Sequence, residues 1–273
     1  MDALYRLAAL DMDGTLLNTA KQITPYTLRV LARAARSGVV VALCTGRSIS
    51  EIRPYLAELK DVGYAICVNG ASVIDLRRME PIRNSVIPDG EALELLRLSA
   101  DYDAFYQIVS DNRSHHTCPA DRLGRYHLAD FAGLFGTCSV LIDDPAELVR
   151  RCPGTIHKIN VFFRDAADRA QFRQRIAGRA VEVCDSMGLG IELSPSGASK
   201  ARGLRELCAH LDIPVERSMA VGDGDNDLGV LRAAGLAVAM GNAIPEVRAA
   251  ADAVTDDCDH DDAAKAIEKY MGV

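Results

Sequence analysis

Two aspartates one residue apart, Asp11 and Asp13, close a short apolar run, Leu7-Ala8-Ala9-Leu10, and lead into Gly14-Thr15-Leu16-Leu17. If the run is a buried strand, side chains two apart leave its end in the same direction, so both carboxylates can address one pocket. Close carboxylates repel, and the pair makes chemical sense only with a cation or a proton between them. Gly14 permits a tight turn, and Thr15 offers an anion a hydroxyl and an N–H. Taken alone, the pattern also fits an acidic turn, because Asp-Gly is a common turn pair.

Two further strand ends shift the balance. Val39–Cys44 is a second apolar run, and it ends in Thr45-Gly46-Arg47-Ser48. Ser218–Val221 is a third, ending in Gly222-Asp223-Gly224-Asp225-Asn226-Asp227. Lys200 stands at the start of an expected helix that faces the same edge. Hard oxygen ligands of this kind suit Mg2+, which binds through a few carboxylates plus substrate oxygens. Carboxylates with such a cation, a lysine, a threonine and helix N-termini make a phosphate site without a glycine-rich P-loop. No GxxxxGKS or GxxxxGKT motif is present, which argues against Walker-type nucleotide hydrolysis.

The intervening pattern alternates strands and helices, as a doubly wound parallel α/β sheet requires. Thr24 and Pro25 are suited to cap and open a helix, with Leu28, Leu31, Ala32 and Ala35 as its apolar stripe and Gly38 as its stop. Tyr64–Val68 reads as a strand, and Asn69-Gly70 signals a hairpin returning through Val73-Ile74. The character changes near Ile82–Pro88. From there to about Leu193 the pattern is an inserted α+β domain, with helices at 91–100 and 166–176 and strands at 105–109, 158–163 and 180–184. The alternation resumes with a helix at 200–210 and ends with a strand at 253–255 and a helix at 262–270. The expected division is a core of residues 1–83 and 194–273 and an insert of 84–193.

The net charge of −7 argues against a nucleic-acid partner. Eight cysteines without a CxxC pair read as reduced, mostly buried thiols. With no signal region and no apolar run of membrane-spanning length, a cytoplasmic protein with no membrane partner is expected.

DxDGTLL, a strand-terminal Thr before Gly-Arg, a lysine after a long insertion, and GDGxND resemble, in order, the four motifs of the haloacid dehalogenase-like phosphatases. The insert between Thr45 and Lys200 matches the position and size of a type IIB cap. Asn69-Gly70-Ala71 and Ala237–Ala243 resemble the Cof subfamily of sugar-phosphate phosphatases. The resemblance implies a Rossmann-like core with an α+β cap, and a Mg2+-dependent phosphatase of small phosphorylated metabolites. It implies Asp11 as nucleophile and Asp13 as general acid and base. It places Mg2+ on the Asp11 carboxylate, the Asp13 carbonyl and Asp223, with Asp227 acting through water or on Lys200. Thr45, Gly46, Lys200 and Asn226 would hold the phosphoryl group. The alternatives are a phosphotransferase or phosphomutase using the same acyl phosphate, or a phospho-ligand-binding regulator without turnover. The assembly expected is a monomer or a small homo-oligomer.

The chain departs from the family pattern at Asp256–Ala264, where Ala263 replaces a turn glycine and acids are added. Several other residues invite a functional reading and a plainer one. Asp225 reads as a solvated loop carboxylate. His115, His116 and Cys118 lack a fourth zinc ligand and fit a loop. Cys44 reads as a buried strand-end thiol. Arg122, Arg125, Tyr126 and His127 read as a solvated face or a substrate contact. Arg47 either touches substrate or pairs with an acid, and stays outside the catalytic set.

Overall fold

The computed structural model describes residues 4–273. Strand β1 (Leu7–Leu10) precedes helix α1 (Pro25–Arg36), followed by β2 (Val40–Cys44), α2 (Ile49–Leu56), β3 (Tyr64–Cys67), β4 (Ser72–Asp75) and β5 (Glu80–Asn84). The inserted region holds α3 (Asp89–Ser99), β6 (Ala104–Ser110), β7 (Arg113–His116), α4 (Ala132–Cys138), β8 (Ser139–Leu141) and α5 (Pro145–Arg151). It continues with β9 (Ile156–Phe163), α6 (Ala166–Arg175), β10 (Val181–Asp185) and β11 (Gly190–Pro195). The last part runs α7 (Lys200–His210), β12 (Ser218–Gly222), α8 (Leu228–Ala233), β13 (Leu236–Ala239), α9 (Pro245–Ala250), β14 (Ala253–Val254) and α10 (Asp262–Met271).

The chain divides into two compact units, one of residues 1–47, 54–84 and 199–273, the other of 48–53 and 85–198. The first carries an eight-stranded sheet in the order β14-β13-β12-β1-β2-β3-β4-β5. Its strands from β14 to β3 are parallel, and β4 and β5 turn back antiparallel. β1 is buried along its whole length, as a central parallel strand covered on both faces must be. Leu10 lies in register with Leu43 of β2 and Val221 of β12. That register fixes the site: Asp11, Thr45 and Asp223 all follow strands that end at one edge, where such sheets bind ligands.

Thr24 caps α1 by accepting the Thr27 N–H, with Pro25 in the first turn. Its buried face is Thr27, Val30, Leu31 and Ala34. Leu28, Ala32 and Ala35, expected in the stripe, lie half-buried at its margin, because the buried face is rotated by about one residue. The hairpin after β3 forms, with Tyr64 opposite Asp75. Gly70 takes φ +89 there, and a Cβ on it would lie 2.0 Å from the Ser199 carbonyl oxygen. Only glycine lets the start of α7 come this close, which brings Lys200 into the centre of the sheet edge.

The second unit has a six-stranded sheet, β10-β11-β9-β6-β7-β8, antiparallel except between β7 and β8. β9 is buried throughout because both faces are covered. Ile159, Val161 and Phe163 pack with Leu95 of α3, Val149 of α5 and Phe172 of α6. Phe162 joins a second cluster with Phe105, Leu123, Tyr126 and Phe135. β5, β7, β8, β11, α4 and α5 were not anticipated. β11 was masked by Glu192, a charge in a buried strand, which Lys158 pairs at 3.2 Å. Residues 48–53 belong to this unit through Glu51, which accepts Ser48 N and Oγ, each at 2.7 Å, and the Gln107 amide at 2.8 Å. Among the described residues no helix is long and apolar enough to cross a membrane.

Candidate active site

Asp11 begins where β1 stops, its N–H still donating to Val221 O at 3.0 Å. It is 6% exposed. Lys200 Nζ, 2% exposed, donates to Asp11 Oδ1 at 2.6 Å and to Asp227 Oδ1 at 2.7 Å. Asp227 in turn accepts the N–H groups of Asp223 and Gly224 at 3.1 and 3.0 Å. The loop after β12 is therefore folded around its own last carboxylate. Thr15 Oγ1 donates to Asp223 Oδ1 at 3.0 Å, tying the first acidic turn to the last.

Carboxylate oxygens of Asp11, Asp223 and Asp227 lie within 4.8 Å of one another, close enough to share one cation. Burial pushes the Asp11 carboxyl up to about 7 despite Lys200, with Asp227 adding to the rise. Burial also lifts Asp223 to about 6, against the Thr15 bond. Lys200 moves the other way for a base: burial disfavours its charge, but Asp11 and Asp227 outweigh that and hold it protonated. Such a set, one ammonium among three carboxylates, has spare negative charge of the kind a hard cation neutralises.

Asp13 does not share that cluster. Its carboxylate turns to Arg47, which donates from Nε to Oδ2 and from Nη2 to Oδ1, both at 2.7 Å, and to Lys21 at 2.7 Å. Burial alone would raise Asp13, but the Arg47 and Lys21 bonds outweigh it and leave the carboxyl at about 2. Arg47 thus pairs with an acid, as one of its two readings had it. Lys21 was not singled out in the sequence, and only its place in the turn after Thr15 hinted at it.

Thr45 is buried; its N–H donates to Ile66 O at 2.8 Å and its Oγ1 accepts Arg47 N–H at 3.1 Å, which leaves the hydroxyl proton for another acceptor. Gly46 backs onto the Asn69 amide, with no room for more than a small side chain. Asn226 is exposed and donates to Asn69 Oδ1 at 3.1 Å. Asp225 is exposed. Asn242 was missed: its Nδ2 donates to Gly14 O at 2.8 Å and Asp223 Oδ2 at 3.4 Å, while its Oδ1 accepts Cys258 N–H. Gly14 takes φ +78, and a Cβ there would lie 2.4 Å from Asp223 Oδ2. Gly14→Ala is therefore expected to lose about 1–2 kcal/mol from backbone strain alone. Urea unfolding would read it as a lower midpoint, and an unchanged midpoint would refute it.

The remaining candidates fall into structural roles. Burial raises the Cys44 thiol to about 12, so it is no nucleophile. Of the eight cysteines, Cys44, Cys67, Cys118 and Cys208 are buried. His115 and His116 lie in β7 rather than an exposed loop, with His116 Nδ1 2.9 Å from Ser139 Oγ, and Cys118 is in the aromatic core. In the basic-aromatic group Arg122, Arg125 and His127 are exposed, as a solvated face requires, while Tyr126 is buried; Tyr126 OH and Arg125 both donate to Asp103, and His127 Nε2 lies 3.0 Å from Arg164 O. In the altered stretch, Ala263 is buried and Asp261 takes the positive φ of +62. Asp261 also accepts the Thr27 hydroxyl at 3.0 Å and that of Thr24. Asp261 thus fastens the start of α10 to α1.

A family model described as haloacid dehalogenase-like hydrolase matches residues 8–267. A Serratia proteamaculans protein named HMP-PP phosphatase is 32% identical over 256 residues, spanning 90% of this chain and 87% of that one. A haloacid dehalogenase-like hydrolase structure from Bacteroides thetaiotaomicron superposes with a TM-score of 0.85 at 28% identity, covering 97% of this chain and 99% of that one. A subclass IIB sugar phosphatase, BT4131, does so at 0.80 and 25% identity, over 97% and 98%. With three strand ends, a buried lysine and this match over nearly its whole length, the chain belongs to the haloacid dehalogenase-like hydrolases, as a Cof-type phosphatase.

Proposed function

We propose that the protein is a Mg2+-dependent phosphatase of small phosphate monoesters, sugar phosphates foremost, working through an aspartyl-phosphate on Asp11. The observation that carries this reading is the Asp11 carboxylate, buried at the end of β1 with one oxygen held by Lys200 at 2.6 Å. Fixing that oxygen leaves the second as the nucleophile. Its attack forms the Asp11 O–P bond as the P–O bond to the leaving oxygen breaks; Asp13 gives that oxygen a proton, which the carboxyl must first take up against the Arg47 and Lys21 bonds that hold it at about 2. In the second half Asp13 takes a proton from water, which attacks phosphorus and releases phosphate and Asp11. Thr45, the Gly46 N–H, Lys200 and Asn226 hold the phosphoryl oxygens. The Asp11 carboxylate, the Asp13 carbonyl and Asp223, with Asp227 behind them, would hold Mg2+. When bound, the ion offsets repulsion between carboxylate and phosphate. The names of the relatives, an HMP-PP phosphatase and a sugar phosphatase, support a small phosphorylated substrate. Phosphate release from a panel of monoesters, with Mg2+ or EDTA, tests the reading; release that ignores the metal would sink it.

Two carboxyls raised to about 7 and about 6 must lose protons to take a cation, so Mg2+ affinity is expected to fall as pH falls through that range. Calorimetry in buffers of different ionisation enthalpy should also record proton release. Equal affinity between about pH 5 and pH 8 would contradict it. The sign for stability follows from the same shifts. A carboxyl raised from 3.8 stabilises the metal-free fold below that value and loses the contribution as pH rises through about 6 to 7.

A further inference from the structure

The carboxylate of Asp13 is only half-buried. Its side chain is 43% exposed, and an exposed aspartate samples several rotamers unless something holds it. Of its two cations, Lys21 is 56% exposed and acts as a point charge on a flexible stem. Arg47 is different, at 13% exposed. Its two parallel bonds, each 2.7 Å, match the plane of the carboxylate, and such a fork fixes direction as well as distance. The residue is itself immobilised. Its N–H donates to Thr45 Oγ1 at 3.1 Å, its carbonyl accepts Val68 N–H at 3.0 Å, and its guanidinium lies 5.5 Å from the Tyr55 ring centre.

On the reading of Asp13 given above, we infer that Arg47 is a positioning residue that aims the Asp13 carboxylate, so that the loop bearing Thr45 also orients the group that protonates the leaving oxygen. A simple surface ion pair would do little, since exposed pairs seldom hold a geometry. A half-buried, doubly bonded fork on a pinned main chain does hold one.

The test uses the leaving group. kcat/KM covers only the steps through the first P–O cleavage, where Asp13 gives its proton. An alkyl phosphate needs that proton, whereas p-nitrophenyl phosphate releases a stable phenolate without it. Arg47→Ala should lower kcat/KM by about 100-fold for the best alkyl phosphate of the panel, and by less than about tenfold for p-nitrophenyl phosphate. Arg47→Lys keeps the charge but not the fork, so it should restore only part of the loss and serves if the alanine variant folds poorly. On an Asp13→Asn background, Arg47→Ala should add nothing further. Equal losses on both esters would overturn the inference in favour of direct phosphate binding or support of the fold. No loss, or a full additional loss in the double variant, would also overturn it. If Asp13→Asn itself fails to distinguish the two esters, the assignment of Asp13 falls rather than the role of Arg47.

Discussion

Asp11→Asn should abolish phosphate release from every ester, by about 10⁴-fold or more in kcat, because an amide cannot form the acyl phosphate. The loss should be chemical and not structural. Asparagine removes a carboxyl whose ionisation is opposed by burial, and Lys200 keeps Asp227 at 2.7 Å. Above about pH 7 the variant should therefore be at least as stable as the wild type. Malachite-green phosphate detection and urea unfolding on the same preparation check both halves. Turnover that survives would mean that another group is the nucleophile, and a variant that melts early would mean that Asp11 is needed for folding.

Lys200→Met should fail in both respects. It leaves Asp11 and Asp227 buried without their shared cation, and breaking a buried pair in this way costs about 3–5 kcal/mol. It also removes a cation from the phosphoryl group, a loss of about 10²–10³ in kcat. The penalty has a direction with pH. Without Lys200 the Asp11 carboxyl ionises at still higher pH, so the fold loses more stability as pH rises and recovers in acid. Urea unfolding in EDTA at about pH 5 and pH 8 measures this. An equal deficit at both would reduce Lys200 to a packing role. Adding Asp227→Asn should return part of the stability, since one buried carboxylate then disappears.

What could be read from the chain follows what each residue answers to. Asp11, Thr45 and Asp223 were legible because a parallel sheet ends its strands at one edge, and apolar runs locate those ends. Lys200 was legible through its helix start and the family motifs. The pairing of Arg47 with Asp13 was left open, because the choice depends on side-chain direction across 34 residues of sequence. Asn242 was silent for a similar reason: it acts on a carbonyl, a carboxylate and an N–H brought together only by folding. In the insert, β11 escaped because Glu192 breaks its apolar pattern, and its partner Lys158 lies two strands earlier in the chain. The His115–Cys118 and Arg122–His127 stretches look reactive by composition, yet His116, Arg125, Tyr126 and His127 make their hydrogen bonds within the insert.

The first turn of α2 sets a rule for recombining such proteins. Residues 48–53 pack with the inserted unit, where Glu51 takes the Gln107 amide at 2.8 Å and Ser50 Oγ accepts the Ser114 N–H at 3.0 Å. A graft of residues 85–198 alone would strip Gln107 of that acceptor and strand Glu51 in a foreign host, at about 1–3 kcal/mol for each orphaned group. A graft that also carries 48–53 keeps the pair but splices the chain between Arg47 and Ser48, beside the residue that clamps Asp13. If a graft lacking 48–53 melts no earlier than one that carries it, the anchor is dispensable and the splice can be placed elsewhere.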